Sequence, residues 1–225
     1  FLTSDFVMRH VGTDDVERFY SIKKYEMLTE SQVTIVSGTA DNWIYEKLLG
    51  DREYDFHNLG IAKNIVPIVQ YTGKAFSKTQ MQKGEVPLLQ DNTTVITYLD
   101  HKDKFPASDA VAHFGNTSGF DHLKGKTISV VGTPIPHPTI VMLYAKALGL
   151  DYTNQEKEYK SFLLDNYRFD MFTYKDENLA NIELKITQME LEQAVGRGRT
   201  VRTDAQLELF AKVPINSSDV FKINK

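Results

Sequence analysis

Two arginines and a glutamine near the C-terminal end of the chain have the types and spacing that could bind phosphate. Gln193 and Arg197 are four residues apart, so on a helix they share one face, and Arg199 follows two residues later. Arginine suits phosphate because its planar guanidinium is always charged and can donate two hydrogen bonds at once. Basic residues in the last turn of a helix also complement the negative end of the helix dipole. The spacing alone leaves both interpretations open.

A predicted helix over residues 178–195 must position these side chains. Its apolar residues recur at spacings of three and four, which is typical of a helix packed on a core. They are Leu179, Ile182, Ile186 and Met189. Gly196 and Gly198 are expected to end the helix and to let the backbone approach a partner closely.

Composition limits the class of protein. The chain has 225 residues, 41% of them hydrophobic and 25% charged, which is typical of a soluble globular protein. Its net charge of -4 gives no global attraction for nucleic acid, so any such contact requires a local groove. The absence of cysteine excludes thiolate chemistry. No apolar run approaches the roughly 20 residues that span a bilayer. We therefore expect an intracellular, cytoplasmic protein that contacts no membrane. Because the chain begins at Phe1, we also expect it to be part of a longer protein.

Runs of β-branched residues that alternate with helical patterns predict an α/β domain around a mostly parallel sheet. The predicted strands are residues 33–36, 65–71, 94–99, 110–114, 127–131, 167–174 and 206–211. Helices are predicted at residues 1–31, 41–49 and 138–148. The tail from Pro214 is predicted to be mobile. In such sheets ligands bind at the carboxyl ends of strands. The loops to consider there are those after Val36, Leu99, Phe114 and Val131, together with the glycine–arginine break.

Other candidate sites are weaker. The stretch from Gly119 to Thr127 ends in a GKT triplet, but its spacing is one residue too long for a phosphate loop and a strand, not a helix, follows it. The histidines lack metal-ligand spacing, so no metal site is expected. Lys74, Lys78 and Lys83, near aromatic residues, are either a nucleic-acid surface or an ordinary exposed face.

Three stretches, in this order, resemble motifs of superfamily 2 helicases. Val33–Ala40, with Ser37-Gly38-Thr39, resembles the motif that ends the first motor lobe. Residues 113–121 resemble motif V, a strand and a loop that ends in aspartate. Residues 193–197 resemble the start of motif VI, Q-x-x-G-R-x-x-R. Residues 94–99 stand at the place of motif IV.

The resemblance implies a three-layer RecA-like fold of the P-loop NTPase type. Residues 1–52 would be the end of the first motor lobe, and residues 53–225 the second lobe. Such lobes bind ATP and Mg²⁺ between them, and the first lobe supplies the phosphate loop and the acidic box. Neither is present in this chain, so it is expected to be inactive alone, with the missing N-terminal lobe as its partner. Single-stranded or duplex nucleic acid, DNA favoured over RNA, would be the other partner.

The resemblance also assigns roles to residues. The catalytic group comprises Arg197, Arg199 and Gln193. The nucleotide-binding group comprises Gly119, Asp121 and Gly196. The nucleic-acid-binding group comprises Asn116, Thr117, Ser118 and Thr133. The group that couples the lobes comprises Ser37, Gly38 and Thr39.

One position departs from the motif. The second arginine of motif VI falls at Thr200, so either Arg199 or Arg202 takes its place, with Arg199 favoured by proximity. Two alternatives to a helicase stay open. One is a non-catalytic α/β module that binds phosphate or an acidic partner, and the other is a translocase on duplex nucleic acid.

Overall fold

A computed structural model describes residues 4–11, 15–23, 33–37, 39–60, 62–109, 111–117, 121–164 and 167–223. The strands are β1 (Phe6–Val11), β2 (Glu17–Ile22), β3 (Val69–Tyr71), β4 (Thr94–Ile96), β5 (Ile128–Val131), β6 (Lys157–Leu164), β7 (Tyr167–Tyr174), β8 (Leu207–Phe210) and β9 (Val220–Lys222). The α-helices are α1 (Asn42–Leu49), α2 (Lys78–Gln82), α3 (Pro138–Ala147) and α4 (Glu177–Val195). Two 3-10 helices cover Leu99–Lys104 and Gly196–Gly198.

The chain divides into two compact units. The first comprises residues 1–57, 136–157 and 174–183, and the second comprises residues 58–135, 158–173 and 184–225.

In the first unit, β1 and β2 form an antiparallel hairpin in which Phe6 pairs with Ile22. The predicted helix over residues 1–31 is therefore wrong where these residues are described. The predicted strand at residues 33–36 is also wrong, because this run is irregular and exposed. β propensity stabilises a strand only when the side chains pack on neighbours, and the side chains of Val33, Ile35 and Val36 are more than half exposed.

The helices of the first unit follow their sequence signals. α1 begins after Asp41, whose carboxylate accepts the Ile44 amide at 3.2 Å, and ends at Gly50 with φ of 61°. Pro138 occupies the first turn of α3, where its missing N–H is not needed. Both predicted helices are confirmed.

The second unit is built on a five-stranded sheet with the order β4-β5-β8-β3-β9. Every neighbouring pair in it is parallel. Helices pack on it, which confirms the expected three-layer α/β RecA-like fold with a mostly parallel sheet. The central strands β5 and β8 are buried at every position, including the polar residues Ser129 and Glu208.

Alternate residues of the strands enter two separate cores, one on each face of the sheet. One core joins Ile128 and Leu209 to Leu191 of α4 and to Phe169 of β7. The other core joins Val131 and Phe210 to Met81 of α2 and to neighbouring aromatic rings. Its remaining buried residues are Tyr71, Phe76, Val95, Tyr98 and Phe105. The sheet therefore lies between two layers.

The C-terminal tail belongs to the sheet. Its strand β9 pairs with β3, and the Asp219 carboxylate accepts the Ile68 amide at 2.7 Å and the Asn64 side-chain amide at 2.9 Å. Ile215 is fully buried. The prediction of a mobile tail from Pro214 is wrong, because these contacts fix the start of β3 and β9 together.

Three further differences concern the second unit. Residues 111–114 form no strand beyond one bridge between His113 and Asn116, so the strand predicted at residues 110–114 is wrong in its described part. β6 was not predicted. From Leu184 onward the buried residues of α4 are Leu184, Thr187, Leu191, Ala194 and Val195, whereas Ile186 and Met189 are only half-buried.

A loop covers the outer edge of β4. The Val95 amide donates to the Ala107 carbonyl and the Asp109 amide donates to the Val95 carbonyl, both at 2.9 Å. Residues 107–109 therefore satisfy the backbone groups of β4 that face away from β5.

Candidate functional site

The end of α4 continues into a turn that points arginines away from the helix. After the 3-10 helix Gly196–Gly198, Arg199 adopts the left-handed conformation with φ of 56° and ψ of 39°. Its carbonyl accepts the amides of Arg202 at 2.7 Å and of Thr203 at 3.0 Å. The left-handed residue is therefore an arginine rather than Gly196 or Gly198. This conformation is unusual for a residue with a side chain and often marks a functional position.

Arg197 lies apart from this turn. Its Nε donates to the Gln193 carbonyl at 3.2 Å, so the guanidinium folds back onto the last turn of α4. This contact satisfies a carbonyl that the helix leaves without an amide partner. In this conformation Arg197 serves the end of the helix.

A second turn faces the first one. The Lys124 amide donates to the Asp121 carbonyl at 3.1 Å, which places these two side chains three residues apart on one turn. The Gly125 amide donates to the Gly198 carbonyl at 3.2 Å and joins the two turns. Each turn thus contributes two charged side chains to the same place.

These four side chains line a cavity of about 350 Å³, whose lining residues are Asp121, Lys124, Arg199 and Arg202. The Arg199 Nη2 donates to the Asp121 Oδ1 at 2.8 Å. Among the described residues, neither Lys124 nor Arg202 pairs with a carboxylate. Three cations therefore surround one carboxylate, which makes the cavity attractive to an anion.

Asp109 supports the turn that carries Asp121. Its Oδ2 lies 2.7 Å from the His122 Nε2, and its Oδ1 accepts the amides of Val111 at 3.0 Å and Ala112 at 2.7 Å. Burial acts to raise the pKa of the Asp109 carboxyl, but the bonds from Ala112, His122 and Val111 outweigh it and hold the pKa below its usual value. Asp109 is therefore ionised and fixes the position of His122.

A seam of contacts joins the loop at residues 113–117 to α4. The Gly115 amide donates to the Glu190 carboxylate at 2.7 Å, and the Thr117 hydroxyl donates to the Gln193 side-chain oxygen at 3.4 Å. Gly115 has φ of +83°, which favours glycine. Asn116 is half-buried beside these contacts, and its side-chain amide donates to the Val111 carbonyl at 3.3 Å.

The cavity lies at the amino end of the sheet. Its two turns precede β5 and β8, and the Ile128 amide that opens β5 donates to Gln206. The expectation that the glycine–arginine break lies at the carboxyl ends of the strands is wrong, because α4 must return to the amino end before a parallel strand can start.

Thr133 follows β5 and lies at the opposite end of the sheet. Its hydroxyl donates to the Ala75 carbonyl at 2.7 Å and accepts the Lys212 amide at 3.0 Å. The four residues of β5 separate Thr133 from the cavity by about 13 Å. The side chain of Thr133 is buried and its hydroxyl is engaged within the protein.

Several predicted site residues are not part of this group. Ser37 and Thr39 belong to the first compact unit, where the Thr39 amide donates to the Ser37 hydroxyl at 3.2 Å. Gly38, Ser118 and Gly119 lie outside the described residues. Gly196 is exposed, and its carbonyl accepts the Arg199 amide at 3.2 Å.

The structure gives a reason why no arginine occupies position 200. Thr200 is buried, its hydroxyl donates to the Asn64 side-chain oxygen at 2.6 Å, and its carbonyl accepts the Ile65 amide. A longer charged side chain would have to leave this position. Both flanking arginines, Arg199 and Arg202, line the cavity instead.

The lysines considered as a nucleic-acid surface form ion pairs. Lys74 pairs with Glu85 at 3.4 Å, and Lys78 pairs with Asp100 at 2.8 Å. These contacts favour an ordinary exposed face. Within the described parts of the chain, no group of three or more His, Asp or Glu side chains could hold a metal ion.

Sequence reasoning did not find Lys124, Asp109 or Glu190, and it named Arg202 only as an alternative to Arg199. Lys124 and Arg202 line the cavity, Asp109 holds its supporting turn, and Glu190 holds the Gly115 loop. The three-residue spacings from Asp121 to Lys124 and from Arg199 to Arg202 were the available signal.

Comparisons with known proteins leave the site to be interpreted from its geometry. A scan against models of protein families, a search of curated proteins and a search of solved structures each give no match for this chain. Among the described residues, the helices are too short or too polar to cross a membrane.

Proposed function

We propose that this chain is the second motor lobe of an ATP-dependent nucleic-acid helicase or translocase. The observation that carries the proposal is the meeting of two distant stretches of sequence. Thr117 contacts Gln193 across 76 residues, and Asp121 contacts Arg199 across 78 residues. The two stretches are those that resemble motifs V and VI.

The chemistry follows from charge. In phosphoryl transfer, negative charge is distributed over the transferred phosphoryl oxygens, and a positioned guanidinium stabilises it. Arg199 lines the cavity already, whereas Arg197 has to leave the Gln193 carbonyl to act as a finger. The cations fit the phosphates of ATP, and the carboxylates for Mg²⁺ would come from the first lobe. ATP supplies the phosphoryl group, and we place the protein inside the cell, where ATP is available.

Nucleic acid would contact the Asn116–Thr117 loop, whose polar groups suit phosphates without reading sequence. Ser37 and Thr39 would couple the lobes. DNA is preferred over RNA as the partner in this proposal. The seam from Gly115 to Glu190 would then connect the nucleic-acid contact to the nucleotide contact.

The test uses the longer protein that contains the first lobe. Arg197→Ala should lower nucleic-acid-stimulated ATP hydrolysis by about 10³-fold or more while leaving nucleotide binding largely intact. Arg168→Ala, on β7, is the matched control and should hydrolyse ATP normally. Turnover in the Arg197 variant close to that of the unaltered protein would refute the assignment.

A second candidate function is a non-catalytic module that binds phosphate or an acidic partner. It is favoured by the three cations of the cavity, which are assembled within the second unit without any other lobe. A longer protein that binds phosphate but hydrolyses no ATP in the presence of nucleic acid would support this alternative.

A further inference from the structure

The cavity combines cations with a carboxylate that competes for one of them. Asp121 holds Arg199 at 2.8 Å, and its side chain is 81% exposed, against 42% for Arg199. An ion pair this exposed contributes little free energy, because water screens it and the side chains lose mobility. A stronger anion can therefore replace the carboxylate at little cost.

Two further cations make such an exchange favourable. Lys124 shares a turn with Asp121, and Arg202 shares a turn with Arg199. Backbone hydrogen bonds fix both turns, and the Gly125–Gly198 bond fixes them to each other. The charged groups are thus held near one another before any ligand arrives, which lowers the entropic cost of binding.

The backbone of Arg199 supports the same conclusion. Its left-handed conformation costs free energy for any residue other than glycine, but it directs the side chain towards Asp121. The amides of Arg202 and Thr203 hold this conformation by donating to the Arg199 carbonyl.

We propose that Asp121, Lys124, Arg199 and Arg202 form a guarded polyphosphate site, in which the Asp121 carboxylate holds Arg199 until the phosphates of a nucleotide replace it. This inference rests on the proposed function for the identity of the ligand as a nucleotide. Asp121 is a positioning residue that keeps Arg199 away from other anions. Lys124 and Arg202 bind phosphate oxygens together with Arg199, as charge-assisted hydrogen bonds favour.

The test measures binding of inorganic tripolyphosphate to the whole chain by isothermal titration calorimetry. Asp121→Asn removes the competing charge and should tighten binding by about fivefold, which is the upper end expected for an exposed ion pair. Arg199→Gln, Arg202→Gln and Lys124→Gln should each weaken it by about tenfold. Arg168→Gln is the matched arginine control and should bind as the unaltered chain does.

The sign of the Asp121→Asn effect decides the proposal. Because Asp121 is exposed, this variant is expected to keep the fold, which circular dichroism checks. Unchanged or weaker tripolyphosphate binding by Asp121→Asn would overturn the guarding role. If all three cation variants bind tripolyphosphate as tightly as the unaltered chain, the site itself is overturned.

Two further titrations identify the source of the phosphates. ATP should follow the same order of variants as tripolyphosphate. The second titration uses a ten-nucleotide single-stranded DNA. If Asp121→Asn binds this DNA more tightly but does not bind tripolyphosphate more tightly, the cavity is a nucleic-acid site and the proposal is overturned. If tripolyphosphate binding changes as expected in the variants but the longer protein hydrolyses no ATP, the polyphosphate site stands and the proposed motor function is rejected.

Discussion

Asp109→Ala should destabilise the second unit and disturb the cavity at once. The Asp109 side chain is 8% exposed, and it accepts two backbone amides and contacts His122. Removing it leaves the amide of the buried Ala112 without its acceptor, which alone costs about 1 to 3 kcal/mol. With the second amide and the His122 contact also lost, we expect the free energy of unfolding to fall by about 2 to 4 kcal/mol.

Asp109→Asn provides a graded comparison. Asparagine keeps a side-chain oxygen for the two amides but loses the charge, so a loss of about half as much is expected. His122→Ala is the control that separates the two roles. It should loosen the Asp121–Lys124 turn and weaken tripolyphosphate binding while leaving the Val111 and Ala112 amides capped.

The pH dependence has a defined sign. The folded-state pKa of Asp109 is lowered, so the folded protein binds this proton less readily than the unfolded chain does. The stabilisation is fully present above the ordinary aspartate pKa of about 3.9, and it is lost as the pH falls through the lower folded-state value. The difference between the unaltered chain and Asp109→Asn should therefore shrink as the pH falls below about pH 4.

The choice of assay depends on where the reporter groups lie. The single tryptophan, Trp43, belongs to the first unit, so its fluorescence does not report on Asp109. Urea unfolding followed by hydrogen exchange of peptides over residues 107–117 and 121–127 measures the second unit directly. Protection at residues 111 and 112 that is the same in Asp109→Ala and in the unaltered chain would refute the reasoning.

Two other changes test the backbone features described above. Arg199→Gly should be more stable than Arg199→Ala by about 1 kcal/mol, because both remove the side chain but only glycine adopts the left-handed conformation without strain. Equal urea midpoints for the two variants would show that position 199 stores no strain. Asp219→Ala should lower the free energy of unfolding by about 1 to 3 kcal/mol and speed hydrogen exchange of the Ile68 amide, because that amide loses its acceptor. Unchanged exchange at Ile68 would show that the tail does not fix β3.

The parts of the fold that the sequence predicts are those in which local preference and burial agree. The β-rich run of β5 and the short apolar stretch of β8 are central strands, and Pro138 marks the first turn of α3. The β1–β2 hairpin was missed because most of its described side chains are exposed, so no apolar alternation marks it. β9 was missed because three residues carry no pattern, and its place depends on Asp219, which contacts Ile68 from 151 residues away.

The candidate site was predictable only in part. The resemblance to helicase motifs pointed to Asp121, and spacing identified Gln193 and Arg199. It did not identify Lys124 or Arg202 as their neighbours, because the two turns meet through a single backbone bond between Gly125 and Gly198. That bond joins two turns that are distant in the sequence, so no local pattern records it.

The loop along β4 has a consequence for association between molecules. An open sheet edge is a template on which another chain can add a strand. The β4 edge is closed to such addition, because the Val95 amide and carbonyl are already bonded to residues 107 and 109. The opposite edge, β9, offers only three residues and carries Lys222. Copies of this chain are therefore not expected to extend this sheet, which remains five strands wide.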